Sequence, residues 1–246
     1  MYILKNEQAH SNGGGIFSLK IRRPGKIWNN PARDDFAFGP LSRIDHAKIG
    51  QGATISMHEH RNDEILSYLW KGEMLHKDST GQQVMISPAT HMMMGAGKSF
   101  FHEESTPNGP VEMLQIFIRP EKADLEPVVQ FSNVQIKQNG EWNLIAGPKE
   151  MNAPLIIRQQ IAVYDVRGTK GDVLNLPTAD GMTPWLYMMN GRAQLDGISL
   201  EKGDAITYEK DEVSTVTLLE DTTLVLFLVN LNAEMTFAGN FSGIKK

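Results

Sequence analysis

The chain has 246 residues, of which 41 % are hydrophobic and 22 % are charged, with no cysteine and a formal net charge of −5. The lack of cysteine excludes disulfides, zinc–thiolate sites and thiol nucleophiles, and the acidic balance disfavours direct contact with a nucleic acid. The longest apolar stretches fall far short of the roughly 20 residues that span a bilayer, and the first residues lack a signal-peptide pattern. We therefore expect a cytoplasmic protein with no membrane partner.

Strand patterns follow one another along the chain. Residues 1–34 include three consecutive glycines but match no phosphate-binding fingerprint, and we expect a flexible leader or a surface strand there. Beyond them, short β-branched and aromatic runs alternate with turns rich in Gly, Pro, Asn and Asp. Because no long helical period occurs, the pattern predicts an all-β sandwich or barrel with at most short helices. Predicted strands include residues 53–57, 65–70, 84–87, 111–119, 186–189, 205–208 and 214–219.

The second half of the chain repeats the plan of the first half in a looser form. In both halves a hydrophobic strand leads into a glycine turn, at Lys71-Gly72 and at Asn190-Gly191, and a short strand follows. The polar stretches at 120–127 and around 139–140 are typical of a linker. These features predict an N-terminal leader or strand segment over 1–34, a first barrel over 35–130 and a second barrel over 131–246.

Two pairs of residues with strand spacing carry the candidate chemistry. Residues two apart on a strand point to the same face, so His58 and His60 share a face while Glu59 points away. The same geometry places His102 and Glu104 together on a later strand. If the two strands are neighbours, three imidazoles and one carboxylate converge inside the barrel, which predicts a metal site.

The ligand types of this predicted site narrow the choice of metal. A nitrogen and oxygen set without sulfur suits one divalent transition ion, namely Fe, Mn, Ni, Cu, Co or Zn, rather than Ca²⁺ or Mg²⁺. Four protein ligands leave one or two positions open on an octahedral ion. The remaining charge of about +1 favours an anionic oxygen there, such as a deprotonated enol or phenol.

At these residues the chain resembles the cupin superfamily and, within it, the pirin family. The first cupin motif, which runs from glycine through His-x-His and glutamate to glycine, corresponds to Gly52, His58, His60, Glu64 and Gly72. Specific sequence motifs of the pirin family cover roughly residues 35 to 130. Beyond them the chain resembles the family only in its general architecture. The motifs most similar to those of the family lie at 57–61 (MHEHR), 64–69 (EILSYL), 71–79 (KGEMLHKDS), 86–88 (ISP), 94–97 (MGAG), 101–104 (FHEE) and 114–117 (LQIF).

The resemblance implies two cupin barrels, of the jelly-roll or double-stranded β-helix type, packed face to face. It implies that only the N-terminal barrel holds a metal, normally iron, and the C-terminal half indeed has no histidine. The ligand positions carried over from the family are His58, His60, His102 and Glu104. Glu64 is expected to orient a histidine or line the pocket rather than to bind the metal.

Three departures from the pirin pattern leave the substrate open, although none removes a ligand. Glu59 stands where pirins often have proline, and Arg61-Asn62-Asp63-Glu64 replaces the usual Arg-x-Phe-Glu. Gly97-Lys98-Ser99 replaces the usual Gly-x-Gly.

The resemblance implies two alternative functions. The first is a metal-dependent dioxygenase that acts on a small aromatic substrate, a flavonol such as quercetin, and on O₂, with Glu104 or Glu64 accepting a proton. The alternative is a non-enzymatic, iron- and redox-responsive co-regulator that binds a protein partner. Sugar or small-acid isomerisation, also common on cupin barrels, is a third candidate.

Three further histidines are expected to have structural roles. His76, on a strand before a turn, is expected to be a hydrogen-bonded strand residue rather than an extra ligand. His91, among methionines, is expected to be packed or to line a pocket. His46, which precedes the first metal strand, is expected to be exposed.

Overall fold

The computed structural model describes residues 1–134, 136–137, 139–209 and 213–246, and within them the chain is almost entirely β-strand. All seven predicted strand segments coincide with observed strands. Their turns carry the expected glycines, such as Gly72 with φ +82°. In the first half the strands are β1 (Tyr2–Leu4), β2 (His10–Gly14), β3 (Phe17–Arg22), β4 (Leu41–Ile49), β5 (Thr54–His60), β6 (Glu64–Lys71), β7 (Met74–Asp78), β8 (Gln83–Ile86), β9 (Thr90–Gly95), β10 (Phe100–Ser105), β11 (Val111–Ile118) and β12 (Val128–Asn133).

The second half continues with ten strands, of which β15, β17 and β22 are the longest at eight residues each. The strands are β13 (Asn143–Gly147), β14 (Leu155–Ile156), β15 (Ile161–Gly168), β16 (Val173–Asn175), β17 (Thr183–Asn190), β18 (Arg192–Leu195), β19 (Ile198–Glu201), β20 (Ala205–Thr207), β21 (Thr215–Leu218) and β22 (Thr222–Val229). Every residue of β22 is buried, as its continuous apolar run predicts. Short 3₁₀ helices lie at Asn6–Gln8, Pro24–Trp28 and Lys149–Met151.

Each half is built from one seven-stranded and one four-stranded sheet. In the first half the strand orders are β12-β9-β6-β11-β4-β3-β2 and β5-β10-β7-β8. In the second half they are β1-β20-β17-β22-β15-β13-β14 and β16-β21-β18-β19. Apolar residues of both sheets fill each interior: Met92 and Met74 belong to one buried cluster in the first half, and Leu226 and Leu218 to one in the second. Each half therefore encloses its own core.

The two large sheets meet face to face across a shared apolar layer. Leu66 and Ile116 of the first half pack in one buried cluster with Trp185, Tyr187 and Phe227 of the second half. Burial of large aromatic side chains is the main favourable term at such a contact. The contact holds the two barrels together over the broad faces of their sheets.

The ends of the chain cross between the halves. Strand β1 pairs with β20 of the second half, while β2 and β3 extend the large sheet of the first half. Of the two alternatives expected for residues 1–34, the structure shows surface strands, β1 to β3, rather than a leader without regular structure. The predicted boundary near residue 130 falls inside β12, which pairs with β9 of the first half.

Among the described residues, no helix combines the length and the apolar composition that a membrane crossing requires.

Candidate metal centre

The candidate centre lies on three neighbouring strands of the small sheet of the first half, β5, β10 and β7. Alternate residues of β10 are buried, so His102 and Glu104 face the interior while Phe101 faces outward. The strand register places His58 of β5 opposite His102, and His76 of β7 opposite Glu104. Alternation and pairing together gather these side chains inside the first barrel.

His58, His60 and His102 form a first triad, whose ligand atoms all lie within 4.8 Å of one another. The Nδ1–H of His58 donates to the carbonyl of Ser56 at 2.9 Å, and Nδ1 of His60 lies 3.1 Å from Asp63 Oδ2. These acceptors place the hydrogen of each neutral ring on Nδ1. The two Nε2 atoms, 3.1 Å apart, then face each other with bare lone pairs. Such an arrangement suits a cation between them.

His76, His102 and Glu104 form a second triad with the same spacing, so the two triads share His102. Four buried atoms of this group have no hydrogen-bond partner within the part of the chain that the structure describes: both ring nitrogens of His102, Nδ1 of His76 and Oε1 of Glu104. Leaving buried polar atoms unpaired typically costs about 1–3 kcal/mol each. A concentration of them in one place calls for an explanation.

The electrostatics of the cluster fit a divalent cation. Burial, reinforced by the neighbouring imidazoles, lowers the pKa of His102 to about 2, and burial raises the pKa of Glu104 to about 7. Both shifts disfavour charge in the metal-free cluster, and a bound cation would favour neutral imidazole and ionised carboxylate instead. A cation would also give the unpaired lone pairs a partner. His58 is the half-buried member of the first triad, so solvent reaches the cluster from its side.

Family comparison covers most of the chain. Residues 19–118 match the Pirin family model, and residues 144–229 match the model of the quercetinase C-terminal cupin domain. The chain belongs to the pirin family. The first match contains both triads, and the second ends with β22. The predicted pair of cupin barrels packed face to face is confirmed.

Relatives of this pirin are known as sequences and as structures. A quercetin 2,3-dioxygenase of Escherichia coli K12 is 24 % identical over 233 residues, covering 92 % of this chain and 97 % of the relative. The bacterial pirin YhhW of Escherichia coli, in complex with nickel(II), has a TM-score of 0.79 at 20 % identity, covering 93 % of this chain and 98 % of its own. A quercetin 2,3-dioxygenase of Acinetobacter baumannii has a TM-score of 0.75 at 21 % identity, covering 94 % and 87 %. These structural likenesses establish the fold.

The residues predicted as ligands all reach the interior of this pirin's first barrel, but in two groups. His58, His60 and His102 come together, while Glu104 lies beside His102, with 4.0 Å between Nδ1 and Oε1. Glu104 shares its triad with His76 rather than with His58 and His60. That these side chains bind a metal stays a prediction.

Glu64 does not join the cluster, which corrects the expectation that it lines the pocket or accepts a proton. Its Oε1 accepts from Nε of Arg158 at 2.8 Å, and its Oε2 accepts from the backbone N–H of Arg158 at 3.1 Å. Strand alternation places Glu64 on the face of β6 that also carries Leu66 and Tyr68, which pack against the second half. The carboxylate therefore joins the two barrels.

Asp63 is a residue of the site that the sequence reasoning missed. It is fully buried and accepts hydrogen bonds from the backbone N–H (2.8 Å) and Oγ (2.7 Å) of Ser242, besides its contact with His60. Its spacing of three residues from His60 is visible in the sequence. Its donors, however, come from the far end of the chain.

Two further histidines, His91 and His46, are buried outside the two triads. His91 packs 4.8 Å from the ring of Tyr68, as expected for a packed residue, and burial lowers its pKa to about 4. His46 is not exposed as expected, because its two ring nitrogens lie 2.8 Å from the hydroxyl of Tyr187 and 2.8 Å from Glu112. It belongs to the seam between the barrels.

Proposed function

We propose that this pirin is a metal-dependent dioxygenase that adds O₂ to a flavonol such as quercetin. The observation that carries the proposal is the pair of inward-facing Nε2 atoms of His58 and His60, 3.1 Å apart, beside the unpaired nitrogens of His102. Relatives named quercetin 2,3-dioxygenase and the nickel complex of YhhW support it. The proposed ligands of one divalent transition ion, with iron expected, are His58, His60, His102 and Glu104.

When bound, the ion would act as a Lewis acid that holds a deprotonated substrate oxygen. The chain's own residues orient and protect the reacting groups. Ser56 and Asp63 fix the Nδ1–H tautomers of His58 and His60, which aims both Nε2 atoms inward. Glu104, fully buried with an unpaired Oε1, would accept the hydroxyl proton of the flavonol. Because His60, His102 and Glu104 are buried, water reaches the reacting atoms only from the side of the half-buried His58.

The test measures metal content, quercetin absorbance and oxygen uptake on protein loaded with Fe(II). We expect quercetin loss to accompany oxygen uptake, and we expect Glu104→Gln to lose most of its metal and its turnover. Glu103→Gln is the matched control, since Glu103 lies on the same strand but faces outward toward Lys77.

Two results would contradict the proposal at different points. Absence of turnover in fully metal-loaded protein under air would remove the dioxygenase activity while leaving the metal site. Metal content that survives both His58→Ala and Glu104→Ala would remove the site itself.

A second candidate function is the iron-responsive co-regulator that binds a protein partner. The observation that favours it is that Met57 and Phe101, the immediate neighbours of His58 and His102, are 48 % and 42 % exposed. Apolar side chains on the outer face of the metal strands are placed to respond to a change at the ligands. Capture of a partner by one iron oxidation state and not the other, lost in Phe101→Ser, would support it. Equal capture in both states would refute it.

A further inference from the structure

A cavity of about 480 Å³ lies at the seam between the barrels, and we call it the seam cavity. Its volume falls within the roughly 300–1,000 Å³ that is typical of small-molecule sites. Strands β2, β3 and β4 of the first half form one side of it, and residues of the second half close the other. Side chains of both halves line the seam cavity, among them Ser11, Ser18, Lys20, His46, Lys48 and Lys202.

Strand register explains why polar side chains gather on this face of the sheet. Lys20 of β3 pairs with His46 of β4, and Ser18 pairs with Lys48. Paired residues and residues two apart share a face, so all four lie on the side of the second barrel. The alternate residue Ala47 belongs to an apolar cluster inside the first barrel. The large sheet therefore separates the seam cavity from the metal centre.

The seam cavity carries an excess of positive charge in a chain whose net charge is −5. Three of the residues that line it are lysines, and none of the described ones has a carboxylate. Glu112 lies behind them, with Oε1 2.6 Å from Nζ of Lys202 and 4.0 Å from Nζ of Lys48. Nζ of Lys20 instead donates to Oγ of Ser11 at 2.8 Å. Three ammonium groups thus share one carboxylate, and an anion in the cavity would offset the excess.

Buried hydrogen bonds fix the floor of the seam cavity. Nε2 of His46 donates to Glu112 at 2.8 Å, and Nδ1 accepts from the hydroxyl of Tyr187 at 2.8 Å. Burial opposes ionisation of Glu112, but hydrogen bonds from His46 and Lys202 lower its pKa to about 2. Both ring nitrogens of His46 are therefore occupied. His46 shapes the floor and leaves the lysines to meet a ligand.

The wall on the side of the second half is held just as firmly. Arg22 is buried, and its Nη2 donates to the carbonyl of Gly203 at 3.0 Å and to Oδ1 of Asn6 at 2.6 Å. Asn6 and Gly203 both line the seam cavity. A site whose walls are ordered before the ligand arrives loses less conformational entropy on binding.

We propose that the seam cavity binds a small organic anion, a dicarboxylate or a phosphate monoester, between Lys20, Lys48 and Lys202. Lysine ammonium groups are compact point charges that bind carboxylate and phosphate oxygens alike. The hydroxyls of Ser11 and Ser18 also line the cavity and can donate to further oxygens of the ligand. Because Lys202 belongs to the second half and the other two lysines to the first, the anion would bridge the barrels and stabilise their docking.

The experiment is calorimetric titration of the whole protein at low ionic strength with succinate, with glucose 6-phosphate and with glucose as the neutral control. We expect at least one anion to bind and glucose not to bind. Lys20→Gln and Lys48→Gln should each weaken binding roughly tenfold, because each removes one charge-assisted hydrogen bond. Both lysines are exposed, so the variants should fold. The matched control is Lys122→Gln, an exposed lysine outside the cavity, which should change nothing.

The outcomes identify the ligand class or overturn the proposal. Binding of succinate alone would assign the seam cavity to dicarboxylates, and binding of glucose 6-phosphate alone would assign it to phosphate monoesters. Binding of neither anion, equal binding of glucose, or equal affinity in Lys48→Gln and Lys122→Gln would overturn it. His58→Ala separates the cavity from the metal centre. Anion binding should persist in that variant, and its loss would place the anion at the metal centre instead.

Discussion

Substitutions in the ion pair between Glu64 and Arg158 test whether Glu64 stabilises the contact between the barrels or acts at the metal centre. The Glu64 side chain is 2 % exposed and that of Arg158 is 28 % exposed. Glu64→Gln removes the charge at nearly constant volume and leaves Arg158 partly in water, so we expect a loss of about 1–2 kcal/mol in the free energy of unfolding. Arg158→Gln leaves a fully buried carboxylate without its cation, and we expect a larger loss of about 3–5 kcal/mol.

The assay is urea unfolding of the metal-free protein near pH 7.5, because a ligand bound only to the folded state would add its own stabilisation. Elemental analysis of the same variants gives the metal content. We expect Glu64→Gln to bind metal like the wild type, and the double variant to be more stable than the sum of the single losses implies. Wild-type stability of Glu64→Gln together with lost metal or lost turnover would show that Glu64 acts at the centre, contrary to the geometry.

Three further predictions concern single residues. Asp63→Asn should lower the metal affinity by roughly 10–100-fold in a chelator competition, because it weakens the hold on the His60 tautomer; unchanged affinity would contradict that role. Burial lowers the pKa of His91 to about 4, so the unfolded chain, with a His pKa of about 6.5, takes up the proton first. Stability is therefore present above pH 6.5 and falls toward pH 4, and His91→Phe should remove about 3 kcal/mol of that fall in unfolding measured across this range. Gly72→Ala should lower the free energy of unfolding in urea by about 1–3 kcal/mol, because φ is +82° and a Cβ would lie 2.2 Å from a backbone carbonyl oxygen. Gly81→Ala, at φ +89° but with open space around the Cβ, should lower it by only about 1 kcal/mol.

Strand alternation alone is enough to predict much of the candidate site. His58 and His60 lie two residues apart on one strand, as do His102 and Glu104 on another, so each pair must share a face once its strand forms. The second triad needed more than local spacing. His76 and Asp78 have the same spacing of two, but only the pairing of β7 with β10 brings His76 to Glu104. Sequence patterns predict where strands lie more readily than which strands pair with each other.

The role of Glu64 depends on how the barrels dock. Its face of β6 is buried against the second half, and its partner Arg158 follows β14 in that half. The prediction that His46 is exposed was wrong for the same reason, because Tyr187 of the second barrel contacts its ring. Neither partner has a local signal near Glu64 or His46 in the sequence. A polar residue on a docking face therefore looks like a surface or pocket residue until the docked partner is known.

The C-terminal segment makes the centre a property of the whole chain. Asp63, which contacts His60, is fully buried, and a buried carboxylate needs donors to offset its desolvation. Those donors are the backbone N–H and hydroxyl groups of Ser242 and the backbone N–H of Phe241. The ring of Phe241 also packs 4.9 Å from that of His60. The segment 35–130 contains every proposed ligand but none of these donors. The positions of the ligands in the sequence suggest that the first barrel forms the centre alone. The orientation of His60, however, also depends on residues 241–242, which hold Asp63 in place.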